Sequence, residues 1–165
     1  MAATSAAQAP SRMTQWLNEI KAQREDDTAL KPYADAAGVA ARLMKTNRRL
    51  GQDKADWLAQ HWARPGPDGQ WRILGDSAHK VINPYLFHLD EALAMYRRIS
   101  APVLVVEASD DSLSQWWKGK YTLAEFHERL KSVPQLEQAQ VQDAGHMLHH
   151  DQPQALASLL ENFLR

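Results

Sequence analysis

The segment DAGHMLHHDQP, residues 143–153, carries the side chains best suited to chemistry in this sequence. Its imidazoles and carboxylates can transfer protons, and they are also ligand types for zinc. The candidates are His146, His149, His150 and Asp151. Their spacing is not a strong metal signature, so we predict neither a metal nor another cofactor. The simplest alternative for each histidine is a loop residue whose ring is hydrogen-bonded by the backbone.

A second group of titratable side chains lies in ASDD, residues 108–111. Asp110 and Asp111 follow an apolar run directly, and either carboxylate could instead cap a helix or stabilise a turn. Trp116 and Trp117 come next and could line an apolar substrate pocket, although aromatic residues at helical spacing more often belong to a core.

The elements around these segments alternate between strand and helix. PVLVVEA, from Pro102, is apolar on both faces and rich in β-branched residues, which predicts an interior strand of a parallel sheet. A helix is predicted over residues 122–133 and a weaker strand over 136–141. A final amphipathic helix is predicted over 155–164, with Leu156, Leu159, Leu160 and Phe163 inward. The order strand, helix, strand, helix predicts a parallel sheet in an α/β fold.

The first half of the chain is predicted to be helical. Residues 1–10 are small and polar and are expected to form a flexible tail. Ser11 is the expected cap of a helix that carries Met13, Trp16, Leu17 and Ile20 and ends in the charged stretch from Lys21 to Asp27. Further helices are expected over residues 35–45 and 52–63, the latter with Trp57, Leu58 and Trp62 inward.

A turn separates these helices from an irregular region. RPGPDGQ, residues 64–70, contains two prolines and two glycines and is typical of a turn. A short extended piece is expected at 71–74, followed by a helix capped by Asp90. The predicted organisation is a tail over 1–10, a helical region over 11–100 and a sheet-containing region over 101–165.

The last 65 residues resemble the C-terminal part of an α/β-hydrolase in order and in detail. ASDD fits the family's Gly-x-x-Asp turn with alanine in place of glycine, which puts Asp111 at the position of the acid. DAGHMLHHDQP fits the phrase AGHxxHxxxP, with His146 as the family's histidine and Pro153 opening the closing helix. By position alone, the helical region resembles the cap that family members insert before this strand.

The resemblance implies a catalytic triad. A histidine acts as a base toward a serine hydroxyl when a carboxylate fixes its tautomer and stabilises the imidazolium. Asp111 and His146 would supply acid and general base, and the substrate implied is a small molecule with an ester-like bond.

The nucleophile that the family requires is missing from the sequence. G-x-S-x-G does not occur, and the nearest string, GDSAH at residues 75–79, has histidine where the last glycine belongs. Ser77 is therefore a poor candidate. The expectation is that Met1 is an internal methionine with about 100 or more residues of sheet upstream, and that this chain is inactive alone.

Composition excludes several other classes. The 19 basic and 20 acidic side chains balance to a net charge of −1, which offers no global attraction to nucleic acid or an anionic membrane. There are no cysteines, which fits a reducing cytosol. With neither a signal peptide nor a membrane span in the sequence, a cytoplasmic protein is expected.

Two further expectations remain open. The alternative function is a non-catalytic helical interaction module on a hydrolase-derived scaffold. Because a two-stranded sheet with exposed edges is too small to be stable alone, the chain is expected to self-associate through those edges or to fold poorly.

Overall fold

The structure is a computed structural model that describes residues 4–25 and 30–165. These residues divide into two compact units, Thr4–Leu86 and Phe87–Arg165. The boundary lies earlier than the expected one at residue 100, so the helix before the first parallel strand belongs to the second unit. Within the described residues, no helix is both long enough and apolar enough to span a membrane.

The first unit begins with helix where a tail was expected. A 3-10 turn, Ala6–Gln8, leads into α1, Ala9–Arg24. Ser5 and Gln8 form a capping box at this turn. The Ser5 backbone N–H donates to the side-chain oxygen of Gln8, and the Ser5 hydroxyl accepts from the Ala7 backbone N–H. The expected cap, Ser11, therefore lies inside α1.

The face that α1 presents differs from the prediction. Trp16 and Ile20 are half-buried, whereas Met13 and Leu17 are exposed. The end of the predicted charged stretch, at Asp26 and Asp27, lies outside the described residues.

Helices α2 (Ala36–Thr46) and α3 (Gln52–Trp62) form the core of the first unit, close to their predicted positions. Asp35 caps α2 by accepting a 2.7 Å hydrogen bond from the Gly38 backbone. The buried side chains are mostly small: Val39, Ala40, Leu50, Ala55, Leu58, Ala59 and Ala63. The inward placement of Trp57 and Trp62 was wrong, because the alanine and leucine face packs on α2 and leaves both indoles exposed.

A β-hairpin closes the first unit. Strand β1 (Ala63–Pro65), which the sequence did not predict, pairs antiparallel with β2 (Trp71–Ile73) across the predicted turn. Gly69 has a φ of +74° in that turn, a conformation that favours glycine. A second 3-10 turn, Ser77–Lys80, follows β2.

The second unit contains five helices and two strands among its described residues. They are, in chain order, α4 (Leu89–Tyr96), β3 (Val103–Ala108), α5 (Ser112–Trp117), α6 (Leu123–Leu130), β4 (Leu136–Val141), α7 (Leu148–Asp151) and α8 (Pro153–Phe163).

Helix ends in this unit show how local sequence sets the elements. The N-cap of α4 is His88, so the expected cap Asp90 lies in the first turn instead. Thr122 forms a capping box with Glu125 at the start of α6, as a Thr-x-x-Glu pattern allows. In α8, Leu160 is exposed, contrary to its predicted inward position.

Strands β3 and β4 confirm the predicted parallel sheet. They pair in register from Val103 opposite Leu136 to Ala108 opposite Val141. Among the described residues, no third strand joins them. One backbone edge of β3 therefore has no strand partner in the described part of the chain. All six side chains of β3 are only half-buried, although its apolar composition is typical of a sheet interior.

Candidate active site

Two loops leave the sheet at the same edge. β3 ends at Ala108 and β4 at Val141, and these two residues are opposite each other in the register. The carboxyl ends of parallel strands are the usual place for ligand-binding loops in open α/β sheets. The sheet therefore brings the ASDD loop and the DAGHMLHHDQP loop together.

Hydrogen bonds join these two loops. The Ser109 backbone donates to the Val141 carbonyl at 2.9 Å, and the Asp110 backbone donates to the Ala144 carbonyl at 3.1 Å. The Ser109 hydroxyl also lies 3.3 Å from both the nitrogen and the oxygen of Ala144. Ala144 is fully buried, so these bonds fix the backbone two residues before His146.

Asp111 lies at the start of α5, where its carboxylate caps the helix. Its Oδ1 accepts a 2.9 Å hydrogen bond from the Ser114 backbone. Hydrogen bonds from the Ser114 side chain and then from its backbone N–H hold the pKa of Asp111 below its usual value, against a smaller opposing effect of burial. The capping alternative noted for this residue is thus realised in the structure.

His146 lies against an exposed tryptophan. The ring centroids of His146 and Trp116 are 5.7 Å apart at an interplanar angle of 35°. Within the described residues, Asp111 is hydrogen-bonded to Ser114. The Asp111 carboxylate makes no hydrogen bond to His146 there.

The residue before His146 is tied to a buried carboxylate. The Gly145 backbone donates a 2.9 Å hydrogen bond to Oδ2 of Asp151, which is only 9% exposed. The Asp151 backbone in turn donates to the Met147 carbonyl at 3.1 Å. Helix α7, which lies in a segment predicted to be loop, therefore folds back onto the residue adjacent to His146.

A cavity of about 140 Å³ lies between the two loops. Its polar lining includes Asp110, Asp111 and His146, and Leu113 and Phe126 are among its apolar residues. The two residues predicted from sequence therefore face one cavity. Asp110 remains an alternative to Asp111, since it lines the same space.

Sequence reasoning missed a titratable pair of which one member, Glu107, lines this cavity. His127 Nε2 of α6 lies 2.7 Å from Oε1 of Glu107, the penultimate residue of β3. The two residues are 20 positions apart, and neither lies in a recognisable motif.

The remaining histidine and serine candidates form neither a metal site nor a nucleophile elbow in the residues that the structure describes. Among the described residues, no group of three or more histidine, cysteine or acidic side chains is arranged to hold a metal ion. The rings of His149 and His150 contact each other with centroids 4.1 Å apart and an interplanar angle of 57°, a tilted arrangement. Ser77 opens a four-residue 3-10 turn capped by Asp76, which is not the strand-to-helix elbow that a hydrolase nucleophile occupies.

The fold and this site define an α/β protein in which an aspartate loop, ASDD, and a histidine loop, DAGHMLHHDQP, follow adjacent parallel strands. The sequence model described as the alpha/beta hydrolase family matches residues 3–159. The chain therefore belongs to the α/β-hydrolase family, and the expected resemblance and fold class are confirmed.

Three solved structures with the same fold show how far sequence identity to this chain varies among proteins of this fold. A hypothetical protein from Pseudomonas aeruginosa PAO1 has 23% identity and a TM-score of 0.78, covering 99% of this chain and 55% of its own. The thioesterase domain from the curacin biosynthetic pathway has 21% identity and a TM-score of 0.71, covering 98% and 52%. An esterase from Mycobacterium tuberculosis has 15% identity and a TM-score of 0.66, covering 99% and 52%.

The chain thus spans about half the length of these matched structures. No curated protein matches the sequence.

Proposed function

We propose that this chain supplies the acid and the general base of a hydrolase that cleaves an ester-type bond through an acyl-enzyme. Asp111 is the acid and His146 is the base. The observation that carries the proposal is that both side chains line one cavity at the carboxyl ends of two adjacent parallel strands.

The hydrogen bonding of Asp111 is compatible with this role. In the structure, Oδ1 of Asp111 accepts a hydrogen bond from the Ser114 backbone N–H. An ionised carboxylate has two oxygens and about four acceptor sites, so Asp111 can keep the helix cap while its other oxygen accepts a hydrogen bond from Nδ1 of His146. That bond would leave Nε2 free to take the proton of a nucleophile and later deliver it to the leaving group.

The proposed nucleophile and oxyanion hole come from sequence outside these 165 residues. In this fold, one oxyanion donor follows the nucleophile and the other belongs to an early loop of the sheet. Neither segment can be found in the sequence. The 165 residues alone should therefore be catalytically inactive.

The substrate class is proposed from chemistry and from relatives. An acyl-enzyme mechanism serves esters and thioesters alike, and two proteins of similar fold are described as a thioesterase domain and an esterase. A small-molecule ester or thioester is the substrate that fits both considerations.

The sheet edge is proposed to be covered when the protein acts. β3 has an apolar sequence, but its side chains are only half-buried and β4 is its strand partner in the described residues. Further strands of the hydrolase sheet would bury it. When the chain is alone, the same edge favours self-association.

The test starts from the gene, with about 400 bases upstream of the Met1 codon, a length set by ordinary domain size. An open reading frame encoding a strand, G-x-S-x-G and a helix is expected. In the longer protein, His146→Ala should lower kcat by about three orders of magnitude or more. A stop codon directly upstream, or full activity of the His146 variant, would contradict the proposal.

A further inference from the structure

A second cavity lies beside the cavity of about 140 Å³ that His146 lines, which we call the cleft. Its volume is about 200 Å³, and more than half of its lining residues are aromatic: Phe87, Tyr96, Trp117, Tyr121 and Phe126. We call it the aromatic cavity. Leu113 and Phe126 line both spaces, so the aromatic cavity is adjacent to the cleft of the proposed acid and base.

The walls of the aromatic cavity are ordered by contacts between planar groups. The rings of Trp117 and Tyr121 meet edge to face with centroids 6.3 Å apart. The Arg129 guanidinium lies 4.3 Å from the centroid of Tyr121 and 5.9 Å from that of Phe87. Tyr121 is almost fully buried, whereas Trp117 is 37% exposed. The cavity therefore combines a buried wall with one that solvent can reach.

We propose that the aromatic cavity binds an aromatic ring of the substrate while the bond to be cleaved lies beside His146. This inference rests on the proposed function and adds the substrate class to it: esters or thioesters that carry an aromatic group. Its basis is the size and lining of the cavity together with the two wall residues shared with the cleft.

Size and shape favour one ring over a long alkyl chain. An apolar protein cavity of about 150 Å³ holds a benzene molecule, so about 200 Å³ accommodates a single ring with a short linker. Flat aromatic walls make offset-stacked or edge-to-face contacts with such a ring, and these contribute beyond the area that is buried. Ring contacts are expected to dominate this recognition, because the lining is aromatic and aliphatic apart from Arg129 and the polar atoms of the tyrosines and Trp117.

The test is direct binding to the 165-residue chain, without catalysis. Phenylacetamide is titrated into the ¹⁵N-labelled protein, and the Trp117 indole N–H resonance is followed by NMR. Saturable shifts with a dissociation constant on the order of 1–10 mM are expected for a ligand with about ten non-hydrogen atoms. Acetamide, which lacks the ring, should give no saturable shift at equal concentration.

Two variants locate the binding. Ala92 lines the cavity from α4, and Ala92→Leu should fill the space and weaken phenylacetamide binding at least fivefold. Trp117→Ala should weaken binding by a similar factor through loss of a wall. Trp57→Ala is the matched control, because Trp57 is an exposed tryptophan of the first unit, and it should leave binding unchanged. Backbone amide resonances of the wall residues Leu113 and Phe126 report binding in the Trp117 variant.

The outcomes separate this inference from the proposed function. Equal shifts with acetamide, no saturation with phenylacetamide, or unchanged binding in folded Ala92→Leu protein would overturn the aromatic cavity as a ring site, whatever His146 does. Binding with the expected variant pattern supports the ring site even if the longer protein proves inactive, in which case the hydrolase proposal alone fails.

Discussion

The backbone of Gly145 donates a 2.9 Å hydrogen bond to Oδ2 of Asp151, six residues further along the chain. The bond joins the two ends of the segment 145–151, which contains His146. Because Asp151 is only 9% exposed, water does not easily replace this acceptor. The position of the histidine loop therefore depends on a side chain that lies outside the proposed catalytic pair.

The first prediction concerns Asp151. Asp151→Ala removes the acceptor and leaves the buried Gly145 N–H unsatisfied, which should lower the free energy of unfolding by about 1–3 kcal/mol. Asp151→Asn keeps a side-chain oxygen and should recover most of that loss. Urea unfolding followed by circular dichroism measures both, and an unchanged midpoint for Asp151→Ala would show that the bond contributes nothing.

The second prediction concerns the titration of Asp111. Hydrogen bonds from Ser114 lower the pKa of its carboxyl below the usual 3.8. A lowered pKa in the folded state means that the cap stabilises the protein above that usual value and is lost as the pH falls through the folded value. Carboxyl ¹³C shifts should report this depressed midpoint.

Ser114→Ala is the matched variant for Asp111. It removes the side-chain hydrogen bond, which is the largest cause of the shift, but keeps the backbone donor. The pKa of Asp111 should therefore rise part of the way toward 3.8. A midpoint at the usual value in the unaltered protein would contradict the capping geometry.

The third prediction compares two leucines of the first unit. Leu58 is 7% exposed in the α2–α3 core, and Leu17 on α1 is 55% exposed. Leu58→Ala should cost about 2–5 kcal/mol through lost burial and a residual cavity, whereas Leu17→Ala should change stability by no more than about 0.5 kcal/mol. Equal effects in thermal unfolding would mean that α1, like α3, packs its leucine against another part of the protein.

The site loops could be predicted because their signals are local. Gly145 and His146 stand in an eleven-residue phrase, and ASDD follows a strand whose β-branched composition marks it. The sequence also predicted that these strands are parallel, and parallel pairing in register then brings both loops to one edge.

The parts that sequence reasoning missed depend on contacts or on very short elements. The six residues of α5, Ser112–Trp117, span too few turns to show a helical period. The exposure of Trp57 could not be predicted because α3 has apolar residues on two faces, and the small-residue face packs against α2. The Glu107–His127 pair joins different elements, so neither residue alone carries a signal.

The fourth prediction concerns association of the isolated chain. In the described residues β3 pairs with β4 alone, so its other edge has no strand partner. The 165-residue chain should therefore form species heavier than 18.7 kDa as its concentration rises. Sedimentation velocity over a tenfold concentration range measures this. A monodisperse monomer that unfolds cooperatively would oppose the view that the sheet lacks partner strands.

The most direct test of the account is labelling with a fluorophosphonate, which reacts with an activated serine. The 165-residue chain should take no label, whereas the longer protein proposed above should be labelled. His146→Ala and Asp111→Asn should both slow that labelling strongly, whereas Asp110→Asn, the variant of the alternative acid, should leave it nearly unchanged. The reverse order of the two aspartate variants would make Asp110 the acid. Labelling of the short chain that Ser77→Ala abolishes, or full labelling of the His146 variant, would contradict the account.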